Sequence, residues 1–125
     1  MSKRIAISVL SDAGLEASVS SHFGRCSYFT VVDVEGHTIL HVDTVANPFY
    51  ARHQPGQVPG FIQSLGAQVM LSGGMGGRAV EHFRQLGIEA VTGAAGTARE
   101  TLKRYLGGEL DGAEACTESV EHGHG

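Results

Sequence analysis

The chain carries two rhythms of apolar and polar positions. Residues 4–10, Arg-Ile-Ala-Ile-Ser-Val-Leu, are apolar at most positions, which predicts a strand buried on both faces. Residues 11–21 are small and polar and read as a loop. Residues 28–34 are rich in β-branched and aromatic side chains and predict a second strand. Glu35-Gly36 make a turn, and residues 38–45 alternate apolar with polar as the hairpin partner. A loop opens at Asn47-Pro48 and runs through Pro55-Gly56.

Beyond that loop the period changes. Val58, Phe61, Ile62 and Leu65 stand at i, i+3, i+4 and i+7, one face of a helix, with Gly66 placed to end it. Residues 68–72 form a short strand and Gly73-Gly74-Met75-Gly76-Gly77 a loop. Ala79, Val80, Phe83 and Leu86 mark a second helix, closed by Gly87. Residues 88–92 are another strand, followed by the loop Gly93-Ala94-Ala95-Gly96. Thr97-Ala98-Arg99-Glu100 fits a capping box. It opens a third helix with Ala98, Leu102, Tyr105 and Leu106 inward and Gly107 at its end. Strand and hairpin, then helix, strand, helix, strand, helix, predict an α/β mixed sheet with helices on its faces. Right-handed crossovers make the strands at 68–72 and 88–92 parallel. Ligands of such sheets bind beyond the carboxyl ends of the strands, where the loops 11–26, 73–78 and 93–96 lie.

Composition narrows the class. The length of 125 residues suits one domain. Two cysteines, and glycines without a triplet period, exclude a disulfide scaffold and collagen. A hydrophobic share of 42% opposes wholesale disorder. No apolar run approaches the roughly 20 residues of a membrane span, and the start lacks the pattern of a signal peptide. These features predict a cytoplasmic protein without membrane association, with Cys26 and Cys116 as thiols. The net charge of −4 is uneven. Residues 1–106 hold nine basic and eight acidic residues, whereas residues 107–125 hold five acids and no Lys or Arg. The expected organisation is therefore a domain over residues 1–110 and a flexible acidic tail over 111–125 containing cysteine and histidine. No basic stripe suggests a nucleic-acid partner.

Two segments concentrate chemistry. Ser21-His22-Phe23-Gly24-Arg25-Cys26 brings imidazole, guanidinium and thiol into six residues. Imidazole and thiolate are ligands for metals and metal–sulfur clusters, and Arg25 is placed to neutralise an anion or to lower the pKa of Cys26. Alternatively, His22 serves the loop and Cys26 is a small buried residue entering a strand. Residues 73–77 hold four glycines around Met75. Consecutive glycines before a helix let backbone N–H groups converge on an anion, and Met75 offers a thioether. The alternative is a tight strand–helix turn. The loop lacks the Gly-Lys-Ser/Thr ending of a P-loop. Arg25, Arg52 and Arg78 all fall in or beside predicted loops and suit an anionic ligand, as does His53 beside Arg52, while His82 lies one turn after Arg78. Cys116, His122 and His124 make the tail a weaker metal candidate than a solubilising segment. Asp12, Asp33 and Asp43 are the acids nearest the strands that nuclease chemistry would use.

The motifs His22-Phe23-Gly24-Arg25, Ser72-Gly73-Gly74-Met75-Gly76-Gly77-Arg78-Ala79 and Tyr105-Leu106-Gly107-Gly108-Glu109-Leu110 carry a resemblance. So do His53-Gln54-Pro55-Gly56-Gln57-Val58-Pro59 and Gly93-Ala94-Ala95-Gly96. Over residues 4–110 the chain resembles the dinitrogenase iron-molybdenum cofactor biosynthesis family. The resemblance implies a ribonuclease H-like three-layer α/β/α fold with a five-stranded sheet of order 3-2-1-4-5, strand 2 antiparallel. It implies binding of iron–molybdenum cofactor or a related metal–sulfur cluster. The family's motif histidine maps onto His22, and the glycine loop with Arg78 onto the cluster rim. Many stand-alone members occur outside nitrogen fixation, and this chain resembles that group.

The expected function is non-enzymatic binding or carriage of an anionic metal–sulfur cluster, with exchange to a donor or acceptor protein. His22, Phe23, Gly24, Arg25, Cys26, Arg52, His53, Gly73, Gly74, Met75, Gly76, Gly77 and Arg78 are the expected binding residues. His22, Cys26 and Cys116 are the candidate metal ligands. A module for a small anionic metabolite at the glycine loop, or a protein-interaction domain, are the alternatives.

Overall fold

A computed structural model describes residues 2–23, 25–49 and 57–110. Gly24, Arg52, His53, Cys116 and the tail beyond residue 110 lie outside the described residues. Five strands and three helices follow in the order β1 (Ser2–Val9), β2 (Tyr28–Glu35), β3 (Thr38–Ala46), α1 (Gln57–Ser64), β4 (Val69–Leu71), α2 (Gly77–Leu86), β5 (Glu89–Val91) and α3 (Ala98–Leu106). The sheet runs β3-β2-β1-β4-β5. Strand β2 is antiparallel to both neighbours, while β1, β4 and β5 are parallel. Fold class and strand order match the sequence-based expectation.

Strand β1 is central, and its side chains divide between two cores. Ile5, Ile7 and Val9 join Val32, Val34, Val69, Leu71, Ala98 and Leu102 under α3. Ala6 joins Phe29, Val31, Ile62, Met70 and Phe83 under α1 and α2. All four of these β1 residues are fully buried, so this part of the strand reads as a nearly continuous apolar run, as strands covered on both faces do. The interior strands thus carry helices on both sides, and the three-layer arrangement follows.

Local signals set the helix ends. Gly87 takes φ +74° after α2, and its N–H donates to carbonyls of the last turn; a side chain at that φ is strained. Thr97 Oγ1 accepts from Glu100 N–H, and a Glu100 carboxylate oxygen accepts from Thr97 N–H. The capping box is therefore complete and holds the Glu100 carboxyl below its ordinary pKa. After α3 the left-handed residue is Gly108, at φ +79°, while Gly107 keeps φ −83°.

Arg4 ties three elements together at the edge of the α1-side core. It stands opposite Asp33 in the β1–β2 register. Its Nε donates to Asp33 Oδ1 at 2.8 Å, and its Nη1 to the Leu65 carbonyl at 2.7 Å, just past α1. The guanidinium holds the Asp33 carboxyl below the usual carboxylate range. Because the folded pKa is lowered, this stability is present above the unfolded pKa of about 4 and is lost as pH falls through the folded value. Both side chains are partly solvated, so the pair is worth about 0.5–1 kcal/mol. Asp33→Asn should lower stability by that amount at neutral pH and by progressively less below pH of about 4. Urea denaturation of both proteins across pH checks this; a gap that persists unchanged in acid refutes it.

Candidate functional site

Three loops meet beyond the carboxyl ends of β1, β4 and β5. The first turns back after β1: Val9 forms a bridge with Val19, and Leu10 N–H donates to Ser18 O. It then passes the start of α3, where Val19 N–H donates to Gly96 O and Ala98 N–H to Ala17 O. The second loop follows β4. Its Gly73 N–H donates to Ser20 O in the first loop, and Gly73 O accepts from Gly93 N–H in the third. Phe23 N–H donates to Gly74 O at 3.0 Å. The glycine loop is thus stitched by backbone hydrogen bonds to the loops on both sides.

Buried serines complete the junction. Ser8 and Ser72 are both fully buried. The parallel register sets Ile7 opposite Leu71, so Ser8 and Ser72 are the next pair along. Ser8 Oγ donates to Ser72 Oγ at 2.9 Å, and Ser72 Oγ donates to Gly74 O at 3.0 Å. Ser8 O accepts from Ser20 N–H. Ser20 Oγ donates to His22 O and accepts from His22 N–H. This relay runs from the central strand to the glycine loop and to the backbone of His22. Ser8 is visible in the sequence as a polar residue interrupting the apolar run Ile5–Val9; its partner required the register.

The side chains of the His22–Cys26 segment separate. His22 and Arg25 are exposed, whereas Phe23 and Cys26 are buried. The Phe23 ring lies edge-on to Phe83 of α2 at a centroid distance of 5.1 Å and tilted to Phe29 at 6.3 Å. Cys26 sits in the same core, with its carbonyl accepting from Asn47 Nδ2 at 2.9 Å. Burial pushes the Cys26 thiol up to about 12, outweighing the hydrogen bond from Asn47. The shift runs opposite to the lowering expected from Arg25, because the arginine is outside while the thiol is sealed in apolar packing. Met75 is likewise in the core, 1% exposed; its thioether anchors the loop from beneath.

What remains on the surface is backbone and charge. Gly73 is glycine by close approach: a Cβ there would stand 2.8 Å from Ser21 Cα and 2.9 Å from Ser20 O. Helix α2 starts after Gly76, which has extended backbone and supplies no side-chain cap. Its first turn contains no acid and carries the exposed Arg78. A cation there opposes the helix dipole and an anion complements it. Neither Arg25 nor Arg78 forms an ion pair among the described residues. His82 is half-buried on the same helix. The structure therefore groups the His22 segment with Gly73–Gly77 and the start of α2, and separates Phe23, Cys26 and Met75 into the core beneath. Among the described residues, no three His, Cys, Asp or Glu side chains gather as a metal-ion site. Of the nuclease candidates, Asp33 is held by Arg4 and Asp43 lies within 3.0 Å of His41 on the hairpin.

The family model for dinitrogenase iron-molybdenum cofactor proteins matches residues 3–108, from the second residue of β1 to just past α3. The chain belongs to this family. Among its relatives is an uncharacterized protein of Methanocaldococcus jannaschii, 29% identical over 95 residues, covering 74% of this chain and 80% of that protein. The crystal structure of PH0822 superposes with a TM-score of 0.77 at 41% identity, covering 87% of this chain and 95% of that one. The apo form of the orange protein from Desulfovibrio gigas gives a TM-score of 0.80 at 27% identity, covering 90% and 94%. In this member of the dinitrogenase iron-molybdenum cofactor family, the order of elements brings the glycine loop beside the His22 segment.

The serine relay predicts a non-additive pattern. Ser72→Ala leaves the buried Ser8 hydroxyl without its acceptor and should cost about 1–3 kcal/mol. Adding Ser8→Ala removes the stranded donor, so the double variant should be less destabilised than the sum of the singles. A denaturant double-mutant cycle measures this, and strict additivity would exclude the relay. Cys26 gives a second prediction. A thiol whose folded pKa is raised contributes stability that is complete below its unfolded pKa of about 8.5 and is lost as pH rises towards the folded value. In a Cys116→Ser background, stability should fall between about pH 9 and 12 more steeply than in the same protein carrying Cys26→Ala. Equal slopes in alkaline urea titrations would count against a buried thiol.

Proposed function

We propose that this protein binds and carries an anionic metal–sulfur cluster of the iron–molybdenum cofactor type, without catalysing a reaction on it. The observation that supports this most is the uncapped start of α2, with Arg78 in its first turn, preceded by a glycine loop that is hydrogen-bonded to the loop carrying the exposed His22. Backbone N–H groups at the helix start and the guanidinium groups of Arg25 and Arg78 offset negative charge on the cargo. His22 provides one imidazole ligand, positioned through Ser20. A single side-chain ligand with diffuse electrostatic support suits a carrier, because cargo held by few bonds can pass to an acceptor protein. Gly24, Arg52 and His53 extend the proposed rim from outside the described residues, and Cys116 stands as a further ligand in the tail. In the conformation observed, Cys26 and Met75 act from beneath by packing, and a role for the Cys26 sulfur as ligand requires the loop to open. Exchange with donor and acceptor proteins in the cytoplasm completes the reading.

The second reading, a small anionic metabolite at the same loop, draws on the same amides and arginines. One experiment separates the two. Anaerobic titration with extracted iron–molybdenum cofactor, followed by visible absorption, should saturate for the wild type. His22→Ala and Arg78→Ala should each weaken binding roughly tenfold, the loss of one ligand or one charge-assisted contact, while Cys26→Ala binds nearly as the wild type does. No saturation, or indifference to both His22→Ala and Arg78→Ala, would reject the cluster reading. Thermal stabilisation by a phosphorylated or carboxylated metabolite without metal would then favour the second.

A further inference from the structure

The two edges of the sheet are built differently. Strand β5 has three residues, too short to template another strand, whereas β3 has nine. Strand β3 pairs with β2 along one side, and no described strand pairs its other side. Long free edges are commonly blunted by lysine, proline or a covering segment. Thr38–Ala46 contains neither lysine nor proline, and it exposes Ile39 and Leu40 at 37% and 53%. Its one irregularity lies near the start: Asp33 pairs with His41 and Val34 with Ile39, leaving Leu40 as the extra residue. From His41 to Ala46 the strand is regular.

We infer that β3 is a self-complementary interface that joins two copies of this chain edge to edge, antiparallel, about a two-fold axis at Val42. Charge selects the register. With Val42 opposite its own copy, His41 of each chain stands across from Asp43 of the other, twice by symmetry. Regular pairing about this axis spans residues 41–43 of each chain, because the bulge at Leu40 breaks the alternation before His41. A register centred one residue later puts Asp43 against Asp43, and like charges directly opposite are unfavourable. Within one chain His41 Nε2 already donates to Asp43 Oδ2 at 3.0 Å, so the two groups sit on one face and need only exchange partners. Their β2 neighbours, Asp33 and Val31, place that face on the side of the sheet covered by α1 and α2, since Val31 belongs to that core. The joined sheet has ten strands. Because β1 runs antiparallel to its copy in this arrangement, the two glycine loops open at opposite ends of the sheet and neither is covered. The inference does not depend on what those loops bind.

The test is the mass in solution of the full chain, by sedimentation equilibrium from low to high micromolar concentration. The wild type should populate a species of twice the chain mass. His41→Asp sets Asp against Asp43 at both crossings and should weaken association roughly tenfold or more; Asp43→His should do the same by the opposite route. The reversed pair, His41→Asp with Asp43→His, should restore it. Circular dichroism and melting temperature confirm that each variant is folded, and either single variant suffices if the other is not. A wild type that stays monomeric throughout would overturn the interface. A dimer unmoved by the folded single variants, or not restored by the reversed pair, would overturn this register.

Discussion

The parallel pairing of β1 with β4 is the constraint on which the rest of this protein hangs. Three register positions, Ile5 to Val69, Ala6 to Met70 and Ile7 to Leu71, join the hairpin half of the chain to the helical half. They also bring Ser8 beside Ser72 at the end of the strands. That second consequence converts a fold-level contact into a site-level one. A buried hydroxyl needs a partner, and the partner of Ser8 stands at the root of the glycine loop. Sheet register and loop position are therefore specified together.

Apolar anchoring and exposed charge divide the labour around the glycine loop. Met75, Phe23 and Cys26 hold the loops from the core side, while His22, Arg25 and Arg78 remain at the surface. A loop of this glycine content loses much backbone freedom on folding. The three side chains below it and the hydrogen bonds to its neighbours offset that loss. The glycine loop is thus held by contacts within the protein. Membership of the iron-molybdenum cofactor family gives this arrangement its chemical context.

The opposite edge of the molecule follows a different logic. Strand β3 covers little core, and most of its residues are exposed. Within the single chain its length pairs with β2, and His41 and Asp43 contact each other and lie beside the Arg4–Asp33 pair. Pairing with a second copy would give both features a further role, and it would do so far from the glycine loop. Binding and association would then be separable properties of one small sheet.

Much of this was legible in the sequence, because it rests on local physics. The ends of α2 and α3 were readable from Gly87 and from Thr97 with Glu100, since a left-handed turn and a capping box involve only residues close in the chain. The strands were readable because burial on two faces leaves an apolar run and burial on one leaves an alternation. The strand order came with the family resemblance. What the tertiary structure alone decided is which side of the loop each residue takes. His22, Phe23, Arg25 and Cys26 are near neighbours in sequence, yet they part between solvent and core because Phe83 and Asn47, remote in the chain, occupy one side. The pKa of the Cys26 thiol rises rather than falls for the same reason: solvation is set by packing, not by the charge one residue away. Glycine content announced a loop that admits close approach; only the fold showed that at Gly73 the approaching group is the protein's own backbone.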